Sequence, residues 1–307
     1  MRVASIDIGT NSVLLLVAEH RRDGSLVPVL ERGTITRLGE GVDKSRVLGD
    51  AAVARTLACL EAYALAFREL GVDKVEVVGT SAMRDAAGGE TFRARATEIL
   101  GATPRVISGE EEAGLTFVGA LSGLPYRGEV TVFDVGGGST EVIVGGWDGR
   151  AAEAVTCVSL NIGGVRLTER FLASDPPTPA ELQAVSDCVD AALAALPAKA
   201  TGVLVGVAGT VTTLAAHAHG IVPYDAERVH GSILGRHDLD EALRELSQCT
   251  LAERRRIPTI DEKRADVIVT GALIASRILD WAQRDSFVVS DRGVRWGLAL
   301  RALSGES

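Results

Sequence analysis

The chain has 307 residues, of which 46% are hydrophobic and 24% charged, a composition that excludes intrinsic disorder and predicts a packed core. At about 150 residues per domain, the length predicts two domains. With 32 Lys and Arg against 41 Asp and Glu, the net charge of −9 argues against a general electrostatic attraction to nucleic acid or anionic lipid.

The cellular compartment is predicted from two features of the composition. The four cysteines form no CxxC pair, which excludes a zinc ribbon and fits a reducing compartment. Asp7 interrupts the apolar stretch that a signal peptide would need, and no apolar run approaches the roughly 18 residues of a membrane span. We therefore expect a cytoplasmic protein without a membrane segment.

The N-terminal half begins with a strand, a turn and a second strand over Val3–Ala18, with the turn at Asp7–Ser12. A third strand is predicted at Val27–Arg37 and an amphipathic helix at Ala51–Leu70. A short apolar strand then enters a Gly-Thr turn, Val75–Thr80. The predicted order is strand, strand, strand, helix, strand.

The C-terminal half repeats this order. Its elements are two strands over Val130–Val144 with the turn Asp134–Glu141 between them, a strand at Ala154–Leu160, a helix at Thr178–Leu196 and a strand at Val203–Val207, followed by Ala208-Gly209-Thr210. Both first turns read D-h-G-x-x-S, where h is apolar. Gly79 lies 72 residues after Asp7, and Gly209 lies 75 after Asp134. The repeat predicts an α/β protein built by duplication.

A domain boundary is predicted at Ser122–Gly128, where Gly and Pro separate the helix Glu110–Leu121 from the strand that opens the second half. The predicted domains are residues 1–122 and 123–294.

Glycine-rich turns expose consecutive backbone N–H groups that bind phosphate oxygens. The chain contains neither a Walker A sequence nor G-x-G-x-x-G, which argues against P-loop and Rossmann folds. Asp7 and Asp134 precede the two turns and Glu141 follows the second, and these carboxylates provide the hard oxygen ligands that Mg²⁺ takes. Asp134 and Glu141 are the leading candidates for the metal site.

Three consecutive acids begin the helix after Ser108. Ser108 and Glu111 have the spacing of a capping box, which would bind the Glu111 carboxylate to the backbone and leave Glu110 or Glu112 to activate water. An arginine fork suits a transferring phosphoryl group, and Arg84 is the best placed. The weaker arginine candidates are Arg264, Arg292 and Arg295.

These motifs resemble the exopolyphosphatase and guanosine pentaphosphate phosphohydrolase family, within the actin, sugar kinase and heat-shock ATPase superfamily. The resemblance covers essentially the whole chain and rests on Asp7–Ser12, Gly79–Arg84, Glu111-Glu112-Ala113, Asp134–Glu141, Gly209–Ala215, Arg264-Ala265-Asp266 and Gly293-Val294-Arg295. It implies two RNase H-like domains flanking a phosphate-binding cleft, with the final helix, about residues 295–307, crossing back to the first domain.

The resemblance also implies roles for individual residues. Glu112 would be the general base, and Arg84 would be a catalytic residue that contacts phosphate and neutralises developing charge. Asp134 and Glu141, with Asp7, would hold Mg²⁺, for which Mn²⁺ could substitute. The residues implied to bind substrate are Asn11, Ser12, Thr80, Ser81, Gly136, Gly137, Gly138, Ser139, Gly209, Thr210, Arg264 and Arg295. The family usually has Arg where this chain has Gly114, and an acid where it has Trp296.

The expected activity is Mg²⁺-dependent release of terminal phosphate from inorganic polyphosphate by a homodimer of the short, two-domain type. Hydrolysis of the 5′-terminal phosphate of pppGpp is the nearest alternative, since both substrates present a phosphoanhydride end. Two further alternatives are an ATP-dependent kinase for a small acceptor and a non-catalytic sensor of the same ligands.

Overall fold

The computed structural model describes residues 1–21, 26–87, 89–149, 151–197 and 199–304. The chain divides into two compact units: unit 1 comprises Met1–Gly119 and Val294–Ser307, and unit 2 comprises Ala120–Gly293. Each unit contains one sheet with helices packed against it, so the predicted α/β class is confirmed. No helix among the described residues has both the length and the apolar character needed to cross a membrane.

The elements of unit 1 are β1 (Arg2–Ile8), β2 (Ser12–His20), β3 (Leu26–Ile35), α1 (Val42–Ser45), α2 (Asp50–Glu69), β4 (Lys74–Gly79), α3 (Ser81–Asp85), α4 (Gly89–Leu100), β5 (Arg105–Val106), α5 (Gly109–Leu121) and α13 (Val294–Ser304). The last two residues of α5 belong to unit 2. In the described part of the unit, the sheet order is β3-β2-β1-β4-β5, with β1 and β2 antiparallel and β1 and β4 parallel.

Both faces of the sheet are buried at β2, which explains why this strand is apolar from Val13 to Ala18. Val13, Leu15 and Val17 pack into the core beneath α2, whereas Leu16 and Ala18 pack with α13. The alternation follows the two-residue period of a strand.

The elements of unit 2 are β6 (Gly128–Val135), β7 (Thr140–Trp147), β8 (Ala152–Leu160), α6 (Gly164–Phe171), α7 (Pro179–Ala194), β9 (Val203–Val207), α8 (Ala208–Ala218), α9 (Ala226–Val229), β10 (Ile233–Gly235), α10 (Arg236–Gln248), α11 (Leu251–Arg254), α12 (Ile268–Ala282) and β11 (Ser286–Val289). The strand order is β10-β11-β9-β6-β7-β8. A helix that was not predicted, α6, lies between β8 and α7.

The core of unit 2 depends on a glycine at its centre. The rings of Phe133 and Phe287 meet edge to face, with centroids 4.9 Å apart and planes at 87°. A Cβ at Gly206 would collide with both rings, so only glycine leaves room for them to pack against β9 at this position.

Candidate active site

Within each unit, the two predicted turns lie at the same edge of the sheet. β1 and β4 are parallel with Asp7 beside Val78, and β6 and β9 are parallel with Asp134 beside Val207. Because parallel strands end at the same edge, the turn after the first strand lies beside the turn after the fourth in both units.

In the first turn of unit 1, the carbonyl groups of Thr10 and Asn11 point toward Thr36–Gly39. Gly9 N donates to Ser12 O at 2.9 Å, and backbone N–H groups of Thr36–Gly39 donate to Thr10 O and Asn11 O at 2.9–3.1 Å. In a trans peptide the C=O and the following N–H point in opposite directions. The N–H groups of Asn11 and Ser12 therefore point away from Thr36–Gly39, which is the arrangement of an anion-binding nest.

Asn11 adds a polar side chain to this turn. Its side chain is buried, and Oδ1 has no hydrogen-bond partner in the described part of the structure. A buried polar atom without a partner costs stability and calls for an explanation. A ligand or a water molecule at the turn would supply the missing donor.

Hydroxyl groups line the second turn of unit 1. Thr80 N donates to Ile8 O at 3.2 Å and joins this turn to the end of β1. Ser81, the first residue of α3, places its Oγ 2.7 Å from Thr10 Oγ1. All three hydroxyl side chains are buried, so their positions are fixed before a ligand binds.

A buried ion pair joins α3 to α5. Arg84 Nη1 donates to Glu112 Oε2 at 2.6 Å and to Ile107 O at 3.1 Å. Burial raises the pKa of Glu112 above its ordinary value, against the charge of Arg84 and hydrogen bonds from Arg84 and Thr80, which lower the pKa. The structure thus places the two predicted catalytic residues in direct contact.

The neighbouring acids have other surroundings. Glu110 is exposed. Ser108 Oγ accepts from Glu111 N at 3.1 Å, as predicted, but the Glu111 carboxylate binds Arg105 at 2.8 Å and Arg301 at 2.7 Å. The hydrogen bond with Arg105 is the largest cause of a lowered pKa at Glu111. The prediction that the backbone occupies this carboxylate is wrong, and the arginines stabilise its charge instead.

The first turn of unit 2 repeats that of unit 1. Gly136 N donates to Ser139 O at 3.0 Å, and backbone N–H groups at the start of α6 donate to Gly136 O and Gly137 O at 2.9–3.1 Å. Arg166 Nε donates to Gly138 O at 2.6 Å. The N–H groups of Gly137, Gly138 and Ser139 consequently point away from α6.

Asp134 and Glu141 are directly opposite each other on β6 and β7, so their side chains lie on one face of the sheet. Glu141 is buried and accepts a hydrogen bond from Ser159 Oγ at 2.6 Å. Where the structure is described, no group of three or more His, Cys, Asp or Glu side chains is placed to hold a metal ion. A cation here would have these two carboxylates as its protein ligands.

The second turn of unit 2 brings Gly209 and Arg264 together. The Arg264 guanidinium lies against the Gly209 α-carbon, where any Cβ would overlap it. Burial lowers the pKa of Arg264, although nearby Asp261 opposes this. Thr210 packs against Gly271 in the same manner. The motif-based predictions for Gly209, Thr210 and Arg264 thus fall in one place.

Two of the arginine candidates have structural contacts. Arg295 Nη2 binds Glu31 Oε2 at 2.8 Å, and Arg292 Nη1 donates to Ser122 O at 2.8 Å. Trp296 Nε1 shares the Glu31 carboxylate at 3.3 Å. A phosphate contact for Arg295 stays a prediction.

The segments Thr36–Gly39 and Gly163–Arg166, which orient the turn carbonyls, were missed by the sequence reasoning. A Cβ at Gly163 would overlap the backbone of Gly137 and Gly138, so the glycine is required. The Gly163-Gly164 pair after β8 was the available signal.

Two sheets that each end a strand with Asp before a glycine turn define an α/β protein of the actin-like ATPase fold. Residues 16–306 match the Ppx/GppA phosphatase family, and the chain belongs to that family, which confirms the predicted resemblance. Exopolyphosphatase 2 of Mycobacterium tuberculosis is 38% identical over 97% of this chain and 98% of that protein.

Two further comparisons agree. The crystal structure of the Aquifex aeolicus member of the Ppx/GppA family is 35% identical, covers 100% of this chain and 99% of that chain, and has a TM-score of 0.84. The guanosine-5′-triphosphate,3′-diphosphate pyrophosphatase of Vibrio atlanticus is 30% identical over 96% of this chain and 58% of that protein.

Proposed function

We propose that this chain is an exopolyphosphatase that hydrolyses the terminal phosphate from inorganic polyphosphate. The observation that carries the proposal is the buried Glu112 carboxylate, which is paired with Arg84 in the unit that holds the Gly9–Ser12 nest. The name of the M. tuberculosis relative supports this choice of substrate.

Glu112 is the general base in this proposal. It takes a proton from water while the water oxygen forms a bond to the terminal phosphorus. The bond from that phosphorus to the bridging oxygen breaks, and its electron pair stays on the shortened chain. Because burial raises its pKa, Glu112 is a stronger base than an exposed glutamate.

The remaining residues bind and neutralise phosphate oxygens. Arg84 orients Glu112 and, with Arg264, offsets charge that develops on the transferring group. The proposed phosphate-binding groups are Asn11, Ser12, Thr80 and Ser81 in unit 1 and Gly136, Gly137, Gly138, Ser139, Gly209 and Thr210 in unit 2. Arg295 is a further proposed contact.

Asp134 and Glu141 fit a Mg²⁺ ion. Like charges directly opposite on neighbouring strands are unfavourable, and a bound cation would offset the repulsion between Asp134 and Glu141. Mg²⁺ is commonly held by one or two carboxylates, with water and substrate phosphates completing the shell. When bound, the ion would stabilise negative charge on phosphate oxygens. Mn²⁺ takes the same ligands and should substitute, and Asp7 is a third candidate ligand.

Hydrolysis of the 5′-terminal phosphate of pppGpp is the second candidate function. It is favoured by the name of the Vibrio relative, which is 30% identical. Its phosphoanhydride end presents the same chemical groups to Glu112. A kcat/KM for pppGpp at least tenfold above that for polyphosphate would reverse the order of the two candidates.

The test is phosphate release from long-chain polyphosphate by the purified chain, with and without Mg²⁺, beside pppGpp and ATP. We expect release that needs both Mg²⁺ and Glu112, with the Glu112→Gln variant as the control. Turnover of pppGpp alone would favour the second candidate, and turnover of neither substrate would contradict both.

We further propose a cytoplasmic homodimer. In the part of the chain that the structure describes, none of the four cysteines forms a disulfide, which fits a reducing compartment. Sedimentation velocity at micromolar concentration tests the dimer, and a single monomeric boundary would contradict it. Cell fractionation tests the location.

A further inference from the structure

A histidine and an aspartate meet at the sheet edge of unit 2 that carries Asp134. β6, β9 and β11 are parallel, so Asp134 near the end of β6 and the Ser290–Gly293 turn after β11 lie at one edge of the sheet. His230 Nδ1 lies 3.1 Å from Asp291 Oδ1, and the two side chains are only 14% and 9% exposed. This pair has no role in the proposed mechanism so far.

Both contacts of the imidazole with the turn are made through Nδ1, which lies 3.1 Å from Asp291 Oδ1 and 3.4 Å from Ser290 Oγ. A carboxylate only accepts hydrogen bonds, so the neighbouring Asp291 favours a proton on Nδ1. The other ring nitrogen, Nε2, is buried and has no hydrogen-bond partner among the described residues. Burying a ring nitrogen without a partner costs stability. Stability alone therefore does not account for a histidine at this position.

The turn that His230 contacts is fixed at several points. Ser290 N donates to Gly206 O at 2.8 Å, and Ser290 Oγ donates to Ala120 O at 2.9 Å. The last residue of the turn, Gly293, faces the Asp134 carboxylate, since a Cβ there would lie 3.9 Å from Asp134 Oδ2. The position of this turn sets how closely protein backbone approaches that carboxylate.

We propose that His230 is a positioning residue for Asp134, acting through Asp291 and the Ser290–Gly293 turn. The inference rests on the proposed function, in which Asp134 binds the metal ion. Residues that orient metal ligands from outside the first shell contribute roughly 10-fold to 100-fold in metal affinity. His230 should therefore affect metal affinity and leave the general base unchanged.

Two substitutions separate the ring nitrogens. In His230→Asn, the amide nitrogen replaces Nδ1 and keeps the donor for Asp291, whereas in His230→Gln the amide lies nearer the position of Nε2 and that donor is lost. We expect Mn²⁺ affinity of the full chain, measured by electron paramagnetic resonance without substrate, to stay close to wild type in His230→Asn. In His230→Gln it should weaken about 10-fold. Turnover at saturating Mg²⁺ should change little in either variant.

A matched control is His237→Asn, since His237 also contacts a carboxylate, Glu241, but is 82% exposed. We expect no change in Mn²⁺ affinity. Gly293→Ala tests the turn without altering the histidine, because its methyl group would lie at ordinary contact distance from Asp134 Oδ2. The fold should be retained while Mn²⁺ binding weakens severalfold.

Equal losses in His230→Asn and His230→Gln, or wild-type Mn²⁺ affinity in His230→Gln or Gly293→Ala, would overturn the positioning role. If His230→Gln does not fold, the Mn²⁺ affinity of Gly293→Ala tests whether the turn positions Asp134. Asp134→Asn separates this inference from the proposed function. Wild-type Mn²⁺ binding by Asp134→Asn would overturn both the metal site and the positioning role. If Asp134→Asn loses Mn²⁺ binding while His230→Gln keeps wild-type affinity, only the positioning role is overturned.

Discussion

The β1–β2 hairpin of unit 1 and the β6–β7 hairpin of unit 2 have matching registers but differ in one carboxylate. In each, the turn glycine donates to the carbonyl of the turn serine, at 2.9 Å in unit 1 and 3.0 Å in unit 2. Asp7 lies opposite Leu14, whereas Asp134 lies opposite Glu141. Both hairpins present N–H groups suited to phosphate, but only the second has the paired acids that suit a cation.

Unit 1 obtains its second functional acid from a helix. Glu112 lies in the first turn of α5, buried and bound to Arg84, and burial raises its pKa as the proposed general base requires. In the proposed function, the repeated hairpin binds phosphate in both units. Glu112 of α5 then transfers the proton in unit 1, and the carboxylate pair of the second hairpin binds the metal ion in unit 2.

The largest expected effect is at Glu112. Glu112→Gln keeps the shape and a hydrogen-bonding group for Arg84 but cannot take a proton, so we expect turnover of polyphosphate to fall about 10³-fold with the fold intact. Phosphate release at neutral pH measures it. Glu110→Gln, at the exposed neighbouring acid, is the matched control and should stay near wild type. Full turnover by a folded Glu112→Gln variant would contradict the assignment of Glu112 as the general base.

The pH dependence tests the same residue without removing it. A general base works only when ionised, and burial raises the pKa of Glu112, so kcat/KM should decline on the acid side at a higher pH than an exposed glutamate would give. Arg84→Met should move this decline to still higher pH, because the Arg84 charge lowers that pKa. A decline at lower pH in Arg84→Met would contradict the assignment.

Exchanging the residues that distinguish the hairpins gives the next largest effect. Glu141→Leu places the unit 1 residue in unit 2, and we expect Mg²⁺-dependent turnover to fall about 10²-fold with loss of Mn²⁺ binding. The reciprocal Leu14→Glu places two carboxylates opposite each other and should destabilise the chain by about 1 kcal/mol. Unchanged Mg²⁺ dependence in Glu141→Leu would show that the hairpins do not differ in metal binding.

The segments behind the turns provide a smaller test. A Cβ at Gly163 would overlap backbone atoms of the unit 2 turn, whereas at Gly39 in unit 1 it would overlap only the Thr10 side chain. Gly163→Ala should therefore raise KM for polyphosphate about 10-fold, or ~1.4 kcal/mol of binding, and Gly39→Ala by less. Steady-state kinetics measure both, and a larger effect of Gly39→Ala would contradict the argument.

The hairpins were predictable because their signals are local. Two-residue periodicity and the D-h-G-x-x-S turns specify strand, turn and strand. The helix predicted from Thr178 is also present, because α7 begins with a capping box between Thr178 and Glu181. The carbonyl-orienting segments were not predictable in this way. Arg166 is one of 32 basic residues, and its bond to Gly138 spans 28 residues without a motif that announces it.

Side-chain pairing was the other limit. Glu112 and Arg84 were each selected, but no spacing rule links residues 28 apart on separate helices. Capping-box spacing selected Glu111 for a backbone contact, but Arg105 of β5 and Arg301 of α13 bind it instead, and Arg301 lies 190 residues away. Arg295 was selected from a motif, and its partner Glu31 lies 264 residues away. Tertiary contacts of this kind follow from the sheet order rather than from local sequence.

The smallest expected effect concerns Gly114 of α5, the helix whose first turn contains Glu112. Its φ is not positive, and a Cβ there would meet no heavy atom within 4 Å, so neither backbone conformation nor packing requires glycine. Gly114→Ala should stabilise the chain by about 0.5–1 kcal/mol, measured by urea unfolding. Gly297→Ala is the contrasting variant, since its Cβ would overlap the Leu115 carbonyl, and it should destabilise. Destabilisation by Gly114→Ala would show that α5 requires glycine at this position for a reason other than packing or a positive φ.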